Sequence, residues 1–154
     1  MHFAVSPGEF AFPGGGIEPE ESPGAAAMRE CYEESGIPLT QKHIPGTLPA
    51  LAMLASGNVV TPVLAWLEEA HQDQLPQDWQ EDEIQSSPWV TRSYLAGPAR
   101  RTTVLQGEEW AGPGFPLANG CVWGFTANVL DWLLRELEWD QPWDKSHRHT
   151  LAGE

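Results

Sequence analysis

Hydrophobic and polar positions divide the chain into short blocks, and the residues between blocks say how each one ends. Residues 3–13 predict a short loop and strand running into three glycines, Gly14 to Gly16. The next block, PGAAAMRECYEES over residues 23–35, carries helix signals at both ends. Ser22 offers an N-cap, Pro23 suits the first helical position and Gly36 suits a left-handed stop. Ile44 to Leu67 holds no charged residue and is long enough to cross a bilayer. Pro45, Pro49, Gly57, Asn58 and Pro62 interrupt it, however, so it reads as two buried strands, about 48–55 and 59–67, joined by a turn.

Beyond a polar acidic loop at 68–83, PWVTRSYLA predicts a brief strand and a helical turn, and RTTVLQ predicts a strand. GFPLANGCVWGF predicts a hairpin with Asn119-Gly120 as its tight turn. A last helix is expected from about Thr126 to Glu138, with Val129, Leu130, Leu133, Leu134 and Leu137 as its apolar stripe. Strands and helices alternate without a regular βαβ rhythm, which favours an α+β class with a mixed sheet flanked by helices. Residues 1–144 read as a single domain and 145–154 as a loose C-terminal tail.

Charge narrows the function. Eight Lys and Arg face 22 Asp and Glu, a formal charge of −14, so a basic groove for nucleic acid is excluded and no nucleic-acid partner is expected. No membrane partner is expected either. Cys31 and Cys121 form no close pair and suit a reducing, cytoplasmic compartment.

The predicted helix at 23–35 concentrates the chemistry. Glu30 neighbours both Glu33 and Glu34 at helical spacing, an arrangement that weakens an isolated helix by roughly 0.2–0.5 kcal/mol per like-charged pair. A solvated acidic face is the ordinary reading of such a cluster. Alternatively, a hard divalent cation, rather than another side chain, supplies the missing charge. The adjacent glycines let backbone approach a ligand closely, and Arg29 with Glu21 offers an orienting ion pair.

These residues resemble the Nudix hydrolase box. Gly15, Glu21, Arg29, Glu30, Cys31, Glu33, Glu34, Gly36 and Ile37 stand in its register, with Cys31 in place of the usual aliphatic residue. A chance match at this composition is on the order of one in a million. The resemblance implies a Nudix-type α/β/α sandwich with a mixed sheet between helices. It also implies hydrolysis of a nucleoside diphosphate linked to another moiety, with Mg²⁺ or Mn²⁺ as cofactor. Glu30 and Glu34 would be the main metal ligands, and Glu33 a further ligand or the catalytic base. The Gly14 carbonyl would complete the metal site, while Arg29 and Glu21 hold the carboxylates.

A narrower resemblance is to coenzyme A diphosphatases, through Gly8, Phe12, Pro13, Gly14 and Gly15 and through the strand-like and helical segments that follow. It implies cleavage of CoA or acyl-CoA to 3′,5′-ADP and 4′-phosphopantetheine or its acyl form, with a CoA-like nucleotide as partner and a homodimer as a compatible assembly. The arginine expected four residues before Gly8 is Ala4, and the upstream half of that motif is absent. N-terminal strands are therefore expected to be missing, with Met1 internal to a longer reading frame. Three readings stay open: CoA hydrolysis; the same chemistry on ADP-ribose, NADH or another nucleotide derivative; and an inactive domain that only binds a nucleotide or partner.

Glu81, Asp82 and Glu83 form a second acidic cluster, a solvated loop by default, in which Glu83 is best placed as an extra base or ligand. Arg100 and Arg101, with Arg92, are candidates to meet a substrate phosphate, against a plain solubility role. His147 and His149 in the polar tail read as inert. Trp110, Trp123, Trp132, Trp139 and Trp143 read as core and tail anchors.

Overall fold

The computed structural model describes residues 4–6, 9–53, 56–68, 90–106, 110–117 and 120–150. These fall into two compact units: the residues up to Phe12 together with those from Val90 onward, and the residues from Pro13 to Glu68.

The first unit is built on a six-stranded mixed sheet. Strands β1 (Ala4–Ser6) and β2 (Glu9–Ala11) form an antiparallel hairpin at one edge. Next come β9 (Gly120–Val122), β8 (Trp110–Leu117), β7 (Thr102–Gln106) and β10 (Arg148–Thr150), in the order β1-β2-β9-β8-β7-β10. The β2–β9 and β7–β10 pairings are parallel and the others antiparallel.

The last helix covers Gly124–Glu136, two residues earlier than expected at each end. Its apolar stripe works as the periodicity predicts at Val129, Leu130 and Leu134, all buried, while Leu137 past its end is 42% exposed. Phe10, Leu95, Ala96, Phe115, Val122, Ala127, Leu130 and Leu134 form one cluster, with Trp139 packed against it. A short helix, Arg92–Ala96, is capped by Thr91, whose side chain accepts from the Tyr94 N–H.

Two expectations change here. β8 begins at Trp110, although Gly112, Pro113 and Gly114 argue locally against a strand. Its register, Val104 opposite Gly112 and Thr102 opposite Gly114, shows the reason. A Cβ on Gly114 would land on Val104 Cγ2 and lie 3.0 Å from Thr102 Cγ2 and 3.3 Å from Cys121 Sγ. Gly114→Ala is therefore expected to cost about 1–3 kcal/mol by overpacking, read as a lower urea midpoint with an unchanged slope.

The tail expected to be loose instead supplies β10. Thr102 and Thr103 anchor its approach, with Thr102 Oγ1 donating to the His147 carbonyl at 3.0 Å and Thr103 Oγ1 to the Lys145 carbonyl at 2.7 Å. Parallel pairing with a strand some forty residues earlier leaves no local sequence signal.

The second unit holds the predicted helix, α1, at Pro23–Ser35. Ser22 Oγ accepts from the Ala25 N–H at 3.2 Å, and Gly36, at φ 68°, donates to the Tyr32 carbonyl. The two strands expected after it are broken into shorter pieces. β3 (Gly46–Thr47) pairs with β6 (Val63–Leu64), and β4 (Leu51–Ala52) with β5 (Val59–Val60), both antiparallel. Pro49 and Pro62 stand between the pieces, where neither can donate to a ladder. Gly57, at φ 73°, closes the turn by donating to the Met53 carbonyl. Among the described residues no helix is long and apolar enough to cross a membrane.

Candidate functional site

The carboxylate face lies wholly within the second unit, where α1 and the glycines before it place every group. Arg29 is its hub. Nε and Nη2 donate to the two oxygens of Glu21, each at 3.1 Å, a two-pronged fork. Nη2 also donates to the Gly16 carbonyl at 2.9 Å. Nη1 donates to Glu30 Oε1 at 2.8 Å and to Glu33 Oε2 at 3.3 Å. One guanidinium thus ties Gly16, Glu21 ahead of the N-cap and two residues of the helix face together.

The electrostatics follow from these bonds. Hydrogen bonds from Arg29, and then from the Glu18 N–H, hold the Glu21 carboxyl below the usual carboxylate range. The same carboxylates, Glu21 first and Glu30 second, push the Arg29 guanidinium still higher, so it stays charged at any working pH. Glu34 moves the other way. Partial burial of its carboxyl raises it first, and the charges of Glu30 and Glu33 raise it further, against the Gly14 N–H that donates to Oε2 at 3.2 Å. The residue as a whole is exposed, so the burial concerns its carboxyl end, tucked toward Gly14.

Gly15 has a separate steric duty. A Cβ there would collide with all three atoms of the Glu30 carboxyl group, whereas Gly14 and Gly16 have open space. Gly15→Ala is expected to leave the fold standing, because the obstructed atoms are the movable end of a side chain. It should displace the Glu30 carboxylate and weaken divalent-cation binding by about tenfold or more, as loss of a ligand's support does in metal sites. Mn²⁺ titration beside a thermal melt separates the two effects.

The sequence reading expected a cation rather than a side chain to neutralise the acids, and the structure corrects it in part. Arg29 reaches both Glu30 and Glu33, a matter of rotamer that spacing alone does not reveal. Among the described residues no three His, Cys, Asp or Glu side chains stand together as a ready metal-binding group. The donor set nevertheless fits a hard divalent cation. Three carboxylates, Glu21, Glu30 and Glu33, share one guanidinium, and Glu34 stands beside them with no cationic partner among the described residues. Glu30 Oε2, Glu33 Oε1 and Glu34 Oε1 accept no hydrogen bond among the described residues. Mutual repulsion at Glu34 is the strain that a cation would relieve.

The remaining expected residues lie elsewhere. Gly14, whose carbonyl was expected to complete the metal site, donates its N–H to Glu34 Oε2. Glu83, with Glu81 and Asp82, lies outside the described residues, as do Gly8 and Asn119. Arg100 closes the 3₁₀ turn Pro98–Arg100, exposed, with its guanidinium 4.9 Å from the Tyr94 ring centre. Arg101 does not stand free to meet solvent: its side chain is 1% exposed and paired with Asp131. Arg92 lies over the Trp139 ring. The Gly16 carbonyl and the Glu18 N–H were not singled out in the sequence, where backbone groups leave no mark beyond the glycine run itself.

Comparison with known proteins places these features. Diphosphoinositol polyphosphate phosphohydrolase 2 of Mus musculus is 61% identical over 31 residues, 20% of this chain and 17% of that protein. Diphosphoinositol polyphosphate phosphohydrolase 3-alpha of Homo sapiens shows the same identity over 31 residues, 19% of its length. Diphosphoinositol polyphosphate phosphohydrolase 3-beta of Bos taurus is 58% identical over a segment of that size. The matched segments thus span under a fifth of these relatives. The NUDIX domain family matches far more of the chain, residues 2–107. With mixed helices and sheets and that match over well more than half its length, the chain belongs to the Nudix family.

Proposed function

We propose that this protein is a divalent-metal-dependent hydrolase of a diphosphate linkage in a small phosphorylated molecule. One observation carries the reading: three carboxylates on one face of α1, tied to the glycine loop through Arg29 and Gly14, keep oxygens that accept no hydrogen bond among the described residues. A solvated acidic face needs none of those ties.

Glu30 and Glu34 are the residues that would hold Mg²⁺ or Mn²⁺, with Glu33 as a further donor. Bound there, such an ion supplies neutralisation of the diphosphate and a lowered pKa for water. Glu33, with its side chain 55% exposed and bonded among the described residues only through Oε2, is the group freest to take the proton from attacking water. Arg29 and Glu21 fix the carboxylates, so that little reorganisation remains when charge develops at phosphorus. Gly15 leaves room for the Glu30 carboxyl.

For the substrate, the first reading is CoA or an acyl-CoA, from Gly8, Phe12, Pro13, Gly14 and Gly15. The second is a diphosphate on another scaffold, supported by the 61% identity to proteins named diphosphoinositol polyphosphate phosphohydrolases. ADP-ribose and NADH belong to the same test. A mass-spectrometric assay of the purified chain with each compound and Mn²⁺ decides. Release of 3′,5′-ADP and 4′-phosphopantetheine from CoA supports the first reading, and product from another member alone moves the substrate to that scaffold. No product from any, with a folded chain that binds Mn²⁺, would overturn hydrolysis and leave a binding domain.

A further inference from the structure

In the first unit, residues from β7, β8, the helix Gly124–Glu136 and the segment that follows it line a cleft of about 540 Å³. Its charged lining is Arg101, Arg135 and Lys145 against Asp131 and Asp140. Three of the chain's eight Lys and Arg therefore meet in one place, and a protein of formal charge −14 carries a local positive surplus there.

Ion pairing within the protein accounts for only part of this. Asp131 is already shared, with Arg101 Nη2 on Oδ1 and Arg135 Nη2 on Oδ2 at 3.2 Å. Lys145 and Arg135 stay exposed. The Arg101 guanidinium lies 5.0 Å from the Phe115 ring centre and 4.9 Å from that of Trp143. Its Nε–H is buried and has no hydrogen-bond partner among the described residues. Buried donors in folded proteins are almost always paired, so an unpaired one on a residue that lines a charged cleft marks a place for an acceptor.

We propose that this cleft binds the phosphoryl group of a small molecule. Arg135 and Lys145 supply charge at the rim, Arg101 supplies donors at the floor and Trp143 forms a wall. Guanidinium groups suit phosphoryl oxygens in both charge and geometry. Asp131 and Asp140 leave one more cation than anion, which favours a single phosphoryl group over a polyphosphate chain. The cleft shares no residue with the carboxylate face, and the proposal stands whether or not that face is catalytic.

Inorganic phosphate is the probe, titrated into the full chain in EDTA with the Trp143 indole N–H followed by NMR. Saturable binding is expected with a dissociation constant on the order of 1 mM, weakening as salt rises. Arg135→Gln and Lys145→Gln, both at exposed positions, should each weaken it by about threefold or more, and Glu34→Gln should not. Three results would overturn the site: no saturation with the folded wild type, binding that neither rim variant changes, or binding that Glu34→Gln abolishes.

Discussion

Glu33→Gln is expected to lower diphosphate hydrolysis by about 10²–10⁴-fold, the usual worth of a positioned proton acceptor. The fold should not notice. Glu33 has its side chain 55% exposed, and its one side-chain hydrogen bond among the described residues, from Arg29 Nη1, is long at 3.3 Å. Gln keeps the length and can still accept that bond through its amide oxygen, but it takes no proton at working pH. Arg29 retains the fork to Glu21 and its bond to Glu30, so the neighbouring carboxylates stay in place. Unfolding free energy should therefore change by no more than about 0.5 kcal/mol, as at other surface positions. Steady-state rates beside urea unfolding check both halves. A large drop in kcat at constant stability supports the proton-acceptor role, and a rise in KM alone would reassign Glu33 to binding.

The largest stability effect is expected at Arg101→Met. Arg101 is the largest fully buried side chain among the described residues, and its guanidinium pairs with Asp131 and lies about 5 Å from both the Phe115 and Trp143 rings. Removing one partner of a buried pair costs about 3–5 kcal/mol, chiefly because the other charge is left without compensation. The lower end of that range applies, since Arg135 still reaches Asp131 Oδ2. Met refills much of the volume, so the loss reports on charge and not on a cavity. Pairing the change with Asp131→Leu should recover part of the stability, because no orphaned carboxylate then remains. Urea unfolding of the wild type, the two single variants and the double variant gives the coupling directly.

What the sequence made legible follows the range of each interaction. The limits of α1 are local, set by Ser22, Pro23 and Gly36, and the structure has them as read. The stripe Val129, Leu130 and Leu134 is a periodicity, which needs no knowledge of what it packs against. Pairings across the chain were not legible. β10 depends on Thr102 and Thr103 some forty residues earlier, and the first half of β8 is a strand despite Gly112, Pro113 and Gly114 because β7 supplies its partner.

The site divides in the same way. Helical spacing brings Glu30, Glu33 and Glu34 together in any α-helix. Spacing does not show that Arg29 chooses the rotamer that links Glu21, Glu30, Glu33 and Gly16, nor that Gly14 offers its N–H. Arg101 misleads most, since an arginine in a polar run reads as surface and only the three-dimensional packing buries it.

Titration of Mn²⁺ into the metal-free chain, followed by electron paramagnetic resonance, reads whether the face of α1 is built around a divalent cation. At least one Mn²⁺ should bind, and Glu34→Gln should weaken it by about tenfold or more while the protein stays folded. Absence of binding at millimolar Mn²⁺, or equal binding by a Glu30→Gln/Glu34→Gln double variant, would contradict the account and return the face to a solvated acidic surface.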